Sequence, residues 1–129
     1  MDNSTIRISV GDMEAIFTAI LLKNGFTESK AKQCAVIFTG NTIDGVYTHG
    51  VYRFPRFIEY IQKGVVRADA EPSLVHKSGA LQQWNGDLGP GPLNAIHATN
   101  TAMKLSQEYG IGCVALANTN HWMRGGAYG

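Results

Sequence analysis

The chain has 129 residues, of which 16% are charged, and a formal net charge of +1 at pH 7. This length suits one domain, and the nearly balanced charge disfavours a nucleic-acid-binding protein, which needs a surface rich in lysine and arginine. The longest apolar run, Ala19–Leu22, is far too short to cross a bilayer. We therefore expect neither a nucleic-acid partner nor a membrane.

Two features favour a cytoplasmic location. Residues 1–5 lack the basic start and apolar stretch of a secretory leader. Cys34 and Cys113 lie far apart and fit no metal-binding or redox spacing. Because free cysteine is commonly buried, we predict two buried thiols in a reducing compartment and no metal site.

The N-terminal part is predicted to form three helices: residues 9–25, residues 27–45, and a third that begins between Thr48 and Arg53 and runs to Gly64. Pro55 is expected in the first turn of the third helix or at a bend in it, because proline removes a helical donor. Ser9 and Thr27 are the expected N-caps, because their side-chain oxygens can accept a hydrogen bond from the first helical turn. Apolar residues recur at helical spacing in each segment. The predicted inward-facing residues are Met13, Ile16, Ile20, Ala31, Cys34, Ala35, Phe38, Phe57, Ile58 and Ile61.

The C-terminal part predicts a short hairpin followed by a βαβ unit. Residues 73–76 and 80–84 read as two strands around a turn at Ser78 and Gly79. A loop rich in glycine and proline then leads to a helix over residues 93–109. The apolar run 111–117 is typical of a strand that is covered on both faces, as in a parallel sheet.

The predicted fold class is therefore α/β, with a three-helix cluster over residues 1–66 and an incomplete α/β domain over residues 67–129. A sheet of two or three strands is seldom stable unless something covers it. The last predicted strand is followed only by residues 118–129. We therefore expect the chain to be the front part of a larger α/β protein.

The densest group of reactive side chains lies in residues 44–57. An α-keto or α-hydroxy acid needs a clamp for its carboxylate and a proton donor for its oxygen. Arg53 and His49 suit these two roles and would share one face of a helix that included both, with Thr48 as a hydrogen-bonding neighbour. A second interpretation is a helix capped by Thr48, with a partly buried histidine and a solvated arginine.

A second candidate region, residues 118–129, directly follows the apolar strand. Loops at the carboxyl ends of parallel strands commonly bind ligands, so His121 is a candidate for contacting a substrate or cofactor; an ordinary surface loop is the alternative. Gly86–Pro92 lacks the third glycine of a dinucleotide fingerprint and predicts a turn before a helix that starts with proline. We interpret His76 and His97 as structural or surface histidines.

Several of these motifs together resemble the malate/L-lactate dehydrogenase family of NAD(P)-dependent oxidoreductases, over about residues 8–129. The resemblance implies an N-terminal helical cluster, a cofactor-binding sheet that is not of Rossmann type, and NAD (or NADP) as the cofactor. It also implies a small keto or hydroxy carboxylic acid as the substrate and a cytoplasmic homodimer at full length. The motifs that carry it are Asp44–Gly50 with Arg53 and Pro55, Gly110–Gly112, and Asn118-x-Asn120-His121.

The resemblance also implies a role for each matching residue. His49 is expected to be the proton donor to the keto oxygen, and Arg53 to hold the substrate carboxylate. Thr48, where the family usually has serine, is expected to neighbour the reacting group. His121 is expected to line the substrate and nicotinamide pocket, and Gly125 to contact the cofactor.

Members of this family continue well past residue 129, which implies little or no turnover by this chain alone. An alternative is a truncated, non-catalytic subunit that docks onto intact homologous dimers through the unpaired edge of its sheet. A DNA-binding helical module around Asn24–Thr27 is a third interpretation, which the net charge disfavours.

Overall fold

A computed structural model describes residues 6–129; residues 1–5, for which we predict the absence of a secretory leader, lie outside the described residues. Over the described range the order of elements confirms an α/β fold that starts with helices and continues as a hairpin plus a βαβ unit. The helices and strands are α1 (Val10–Lys23), α2 (Glu28–Ile43), α3 (Phe54–Gln62), β1 (Ser73–Ser78), β2 (Leu81–Asn85), α4 (Gly91–Tyr109) and β3 (Cys113–Ala117).

The first two helices begin at the predicted caps. The Ser9 Oγ accepts a hydrogen bond from the backbone N–H of Asp12 at 3.1 Å and donates to the carboxylate of Asp12 at 2.6 Å. The Thr27 Oγ1 accepts from the N–H of Lys30 at 3.4 Å. A cap of this kind stabilises a helix by about 1 kcal/mol, so the two starting points are set by local sequence.

The third helix begins at Phe54, one residue beyond the predicted range for its start, and Pro55 lies in its first turn, as predicted. Residues Tyr47–His49 form one turn of 3₁₀ helix, and the backbone then leaves helical geometry at Gly50, with φ −110° and ψ −123°. A Cβ at Gly50 would lie 2.4 Å from the Oγ1 and 2.8 Å from the backbone nitrogen of Thr42, because the chain passes directly against the end of α2. His49 and Arg53 therefore do not share one helix, and the alternative that Thr48 caps the third helix is wrong.

Most of the buried apolar side chains belong to the helical cluster. The rings of Phe17 and Phe54 stack at 4.0 Å, and Phe38 meets Phe54 edge-on at 5.1 Å. Ile16, predicted to face inward, is half exposed, because Phe17 takes the inward position on α1. The core cluster consists of Phe17, Leu21, Phe26, Ala31, Cys34, Ala35, Phe38, Phe54, Phe57, Val66 and Met123.

The three described strands form one sheet in the order β1-β2-β3. Strand β1 pairs antiparallel with β2, and β2 pairs parallel with β3 after the α4 crossover. The expectation that β3 is covered on both faces is wrong for the described structure, since Cys113, Ala115 and Ala117 are exposed. Helix α4 lies against the strand, so alternate residues are partly covered.

The two cysteines differ in environment. Cys34 is buried in the helical core, as predicted, and burial raises the pKa of its thiol to about 12. Cys113 is exposed on β3, contrary to the prediction, because the outer face of that strand is open. Among residues 6–129, no helix is both long enough and apolar enough to cross a membrane.

Candidate functional site

The backbone of the loop that carries His49 is tied to the last turn of α2. Asn41 is 2% exposed and donates from Nδ2 to the carbonyl oxygen of His49 at 3.0 Å. The Thr42 Oγ1 accepts from the N–H of Val51 at 2.9 Å and donates to the carbonyl of Phe38 at 2.8 Å. These bonds at His49 and Val51 fasten the C-terminal end of the 3₁₀ turn to α2 and so fix the backbone position of the histidine.

The side chain of His49 is half-buried and has two close neighbours. Its Nδ1 lies 3.1 Å from the hydroxyl oxygen of Thr48. Its ring lies 5.6 Å, centroid to centroid, from the ring of His121, with the two planes inclined by 32°. The fold thus brings together two histidines that are 72 positions apart in the sequence.

The loop after β3 carries His121 and is held by an amide side chain. Asn120 donates from Nδ2 to the carbonyl oxygens of Leu88 at 2.8 Å and of Val65 and Gly89, each at 3.2 Å. A Cβ at Gly91 would lie only 2.1 Å from the carbonyl oxygen of His121. The start of α4 therefore requires glycine at this point for the loop to follow its observed path.

The ring of His121 is held by a hydrogen bond from the backbone. Its Nδ1 accepts a hydrogen bond from the N–H of Met123 at 2.9 Å. Burial, followed by the neighbouring Arg53 and His49, lowers the pKa of His121 below its usual value. The protonated form of the His121 imidazole is therefore disfavoured, as expected for a ring next to other cationic groups.

Arg53 faces the same space as His121. Both residues line a cavity of about 40 Å³, together with Phe57, Tyr60, Val66, Asn120 and Met123. Of the predicted site residues, His49, Arg53 and His121 are thus brought together, and Thr48 lies beside His49. A guanidinium and two imidazoles form a donor set that suits a small carboxylic acid with a polar group next to its carboxylate.

Gly125, the predicted cofactor contact, starts the 3₁₀ turn Gly125–Ala127 and is exposed. The preceding residue, Arg124, lies 2.7 Å from the carboxylate of Asp44 at the end of α2. This ion pair connects the two loops that carry His49 and His121. Gly125 is therefore on the segment that leaves the site, four residues beyond His121.

The other predicted features lie elsewhere in the molecule. The segment Gly86–Pro92 is a turn that leads into α4 with Pro92 in the first helical turn, as predicted. His76 is exposed on β1. His97 is half-buried on α4, with its ring 4.3 Å from that of Trp84 on β2.

Four residues that shape the site had no predicted role. Asn41 and Thr42 hold the His49 loop, and Asn120 and Met123 hold the His121 loop. Asn120 lies in the same polar run as His121, so the sequence did offer a signal for it. Nothing in the sequence marks Met123, because its importance comes from a positive φ of 68° combined with burial in the distant helical core.

Comparison with known proteins gives a consistent assignment. A family model described as malate/L-lactate dehydrogenase matches residues 8–129. The chain is 44% identical over 124 residues to a 2,3-diketo-L-gulonate reductase of Pasteurella multocida and 40% identical over 124 residues to one of Mannheimia succiniciproducens. Each alignment covers 96% of this chain and 37% of the relative, so the chain spans little more than a third of the length of these relatives.

Solved structures with the same fold include a malate dehydrogenase of Pyrococcus horikoshii, with a TM-score of 0.94 and 28% identity over 98% of this chain and 36% of that one. A sulfolactate dehydrogenase of Methanocaldococcus jannaschii has a TM-score of 0.92 and 29% identity, covering 95% of this chain and 36% of that one. The helical cluster, the hairpin and the βαβ unit are therefore shared with dehydrogenases of this type. By sequence match and by fold, this chain belongs to the malate/L-lactate dehydrogenase family.

Proposed function

We propose that the chain supplies the substrate-binding part of an NAD(P)H-dependent oxidoreductase that acts on a small keto or hydroxy carboxylic acid. The observation that carries this proposal is the convergence of His49, Arg53 and His121 from two separate loops. The names of the relatives add that such chains occur in reductases and dehydrogenases of small organic acids.

In this proposal each residue has a distinct task. Arg53 holds the substrate carboxylate, because its planar guanidinium can donate two parallel hydrogen bonds to the two carboxylate oxygens. His49 donates a proton to the keto oxygen as the carbonyl is reduced to an alcohol. Thr48 keeps the imidazole of His49 oriented through the contact at Nδ1.

The residues present also fit the reacting end of a nicotinamide cofactor, either NAD or NADP. His121 offers an N–H donor at Nε2, and an added Cβ at Gly125 would meet no atom within 4 Å, which leaves open space beside the backbone there. When bound, the reduced nicotinamide supplies the hydride that adds to the carbonyl carbon. His121 and Gly125 are the residues we assign to its contact within this chain.

For the substrate we propose 2,3-diketo-L-gulonate, on the strength of the names of the relatives that are 40–44% identical. We further propose that a full-length protein containing this sequence acts as a cytoplasmic homodimer. The isolated chain is expected to have little turnover, since orientation of the substrate against the cofactor supplies much of the catalysis.

The test is a chimaera in which this chain replaces the matching segment of the Pasteurella multocida relative. We expect NADH oxidation that depends on 2,3-diketo-L-gulonate. His49→Gln should lower kcat by about 100-fold or more, the usual contribution of a general acid. Arg53→Gln should raise KM more than it lowers kcat, because it removes ground-state binding of the carboxylate.

The matched control is His76→Gln, which removes an exposed imidazole on β1 and should leave both constants unchanged. Circular dichroism of each variant is the check that it is folded. An unchanged kcat in folded His49→Gln would remove this residue from the mechanism. Activity with malate or lactate but not with the diketo acid would keep the reaction type and overturn the substrate.

A second candidate function is a non-catalytic subunit that docks onto intact homologous dimers. The observation in its favour is that β3 pairs only with β2 among the described strands, which leaves the other edge of β3 open. An open edge offers unpaired N–H and C=O groups to another strand. Co-elution of this chain with the intact relative in size-exclusion chromatography would support docking, and separate elution as a monomer would exclude it.

A further inference from the structure

We propose that Met123 is a positioning residue: its backbone N–H holds His121 in the tautomer that carries its proton on Nε2. His121 then acts toward the substrate and the nicotinamide only as a hydrogen-bond donor, while His49 is the histidine that gains and loses the proton. This inference rests on the proposed function, which it deepens by dividing the work of the two imidazoles.

The hydrogen bond at Nδ1 fixes the tautomer. A neutral imidazole has one donor nitrogen and one acceptor nitrogen, and both nitrogens become donors when the ring is protonated. Since the Nδ1 of His121 accepts from the N–H of Met123 at 2.9 Å, the proton of the neutral ring must be on Nε2. Protonation of Nδ1 would place two N–H groups against each other and break this bond.

The donor is held rigidly because Met123 is fixed in two ways. Its φ of 68° lies in the left-handed region that residues with a side chain seldom adopt, so the surrounding contacts must hold it there. Its side chain is 7% exposed and belongs to the same core cluster as Phe57 and Val66. The N–H of Met123 is therefore aimed at His121 by packing in the helical cluster.

The charged groups around His121 favour the same neutral state. Burial, Arg53 and His49, in that order, lower the pKa of His121. The carboxylate of Asp44, at the nearby end of α2, is 2.7 Å from the guanidinium of Arg124. The other polar side chains that line the cavity are those of Tyr60 and Asn120.

His49 has a different partner, which permits both of its charge states. Its Nδ1 lies 3.1 Å from the hydroxyl of Thr48, and a hydroxyl can either donate or accept. His49 can therefore take up or release a proton without losing this contact. A backbone N–H can only donate, so the same change would cost His121 its bond to Met123.

The test is a long-range ¹H–¹⁵N NMR spectrum of the imidazole rings at pH 7, recorded on the 129-residue chain. Its four histidines are assigned by single replacement with glutamine. We expect His121 to show a protonated Nε2 and an unprotonated Nδ1, with the tautomer ratio shifted about fivefold toward Nε2–H by the backbone bond. A predominance of the Nδ1–H tautomer, or of a protonated ring, would overturn the inference.

Two variants test the role of Met123 itself. Met123→Leu keeps the apolar anchor, so the tautomer ratio should remain as in the unmodified chain. Met123→Asn tolerates the positive φ but removes the anchor, and the ratio should fall by about fivefold. An unchanged ratio in folded Met123→Asn would show that the side chain does not position the N–H; the spectrum of the unmodified chain decides the tautomer even if this variant unfolds.

The outcome of the NMR test can be distinguished from the outcome of the test of the proposed function. If His121 is found as the Nε2–H tautomer and the chimaera still oxidises no NADH, the proposed function fails and the positioning role of Met123 stands. If turnover depends on His49 while His121 carries its proton on Nδ1, only this inference fails.

Discussion

The helical cluster and the sheet are packed to very different degrees. Leu21 and Phe38 in the helices have no exposed surface, whereas all six residues of β1 are exposed and β3 alternates between exposed and half-buried positions. Both histidines of the candidate site depend on the packed region: His49 through the end of α2, and His121 through the anchor of Met123. The geometry of the site is thus set by the helices, although His121 follows a strand.

The segment after β3 links the two regions. It leaves the sheet at Asn118, is fastened by Asn120 to backbone carbonyls, and enters the helical core at Met123. Functional loops held by a rigid scaffold are a common arrangement, because the scaffold limits the motion of the reactive side chains. Substitutions in the helical cluster should therefore disturb the site more than substitutions in the sheet.

The largest effect is expected from Phe38→Ala. Phe38 is fully buried and its ring contacts those of Phe17, Phe54 and Phe57, so truncation leaves a cavity that these rings cannot fill. The free energy of unfolding should fall by about 3–5 kcal/mol, measured by urea denaturation. Val75→Ala is the control in the sheet: Val75 is 65% exposed, and its truncation should change stability by about 0.5 kcal/mol at most.

A similar loss in the free energy of unfolding of Phe38→Ala and Val75→Ala would contradict the difference in packing between the helices and the sheet. It would mean that β1 is covered in solution by another chain or by a second copy of this one. Sedimentation of the unmodified chain at several concentrations would then identify self-association as the cause or exclude it.

A smaller but more local effect is expected from Gly50→Ala. The new Cβ would lie 2.4–3.0 Å from three atoms of Thr42, two of them in the backbone of α2, so the His49 loop must shift. We expect a loss of about 1–3 kcal/mol in the free energy of unfolding and a changed chemical shift of the His49 ring. Gly40→Ala is the control within α2, since its Cβ would meet no atom within 4 Å, and it should be neutral or slightly stabilising.

The elements of the fold could largely be predicted because their signals are local. Ser9 and Thr27 cap their helices with their own side chains, and Gly110 ends α4 in the left-handed conformation, with φ 80°. The start of α3 could be predicted only as a range, from Thr48 to Arg53, and it falls just beyond that range at Phe54. Its position depends on the close approach of Gly50 to Thr42, a contact between segments that local propensity does not describe.

The site was predicted only in part, for the same reason. The sequence marks Thr48, His49, Arg53 and His121 as reactive side chains, and the shared cavity of Arg53 and His121 follows only from tertiary packing. The roles assigned to these residues and to Gly125 remain predictions. The residues that hold the two loops in place were not predicted, and of these only Asn120, in the polar run around His121, had a signal in the sequence.

The free energy of unfolding should depend modestly on pH through one histidine in each region. The pKa values of His121, beside the helical core, and of His97, beside the sheet, are both lowered, in each case mainly by burial. Below the usual value of 6.5 the unfolded chain binds more protons than the folded one, so the free energy of unfolding should fall as the pH is lowered from about 6.5. Each histidine should contribute less than about 1 kcal/mol, because solvent screens both rings.

Urea denaturation at pH 7.5 and pH 5.5 measures this dependence. His121→Gln and His97→Gln should each reduce the loss of stability between the two pH values. A loss that only His97→Gln reduces would show that the ring of His121 is protonated without cost in the folded chain, which would contradict the picture of a firmly held site. His76→Gln, on the exposed strand, should have no effect.

The smallest effects are expected from ion pairs on the surface. Asp44 pairs with Arg124 beside the site, and Asp87 pairs with Arg67 near the sheet, each at 2.7 Å with both side chains partly exposed. Asp44→Asn and Asp87→Asn should each lower the free energy of unfolding by about 0.5 kcal/mol, and 1 M NaCl should remove most of the difference from the unmodified chain. Because the two pairs are alike in distance and exposure, similar losses would show that burial, not charge, distinguishes the two regions. A loss that persists in salt for Asp44→Asn alone would instead show that the ion pair helps to hold the two site loops together.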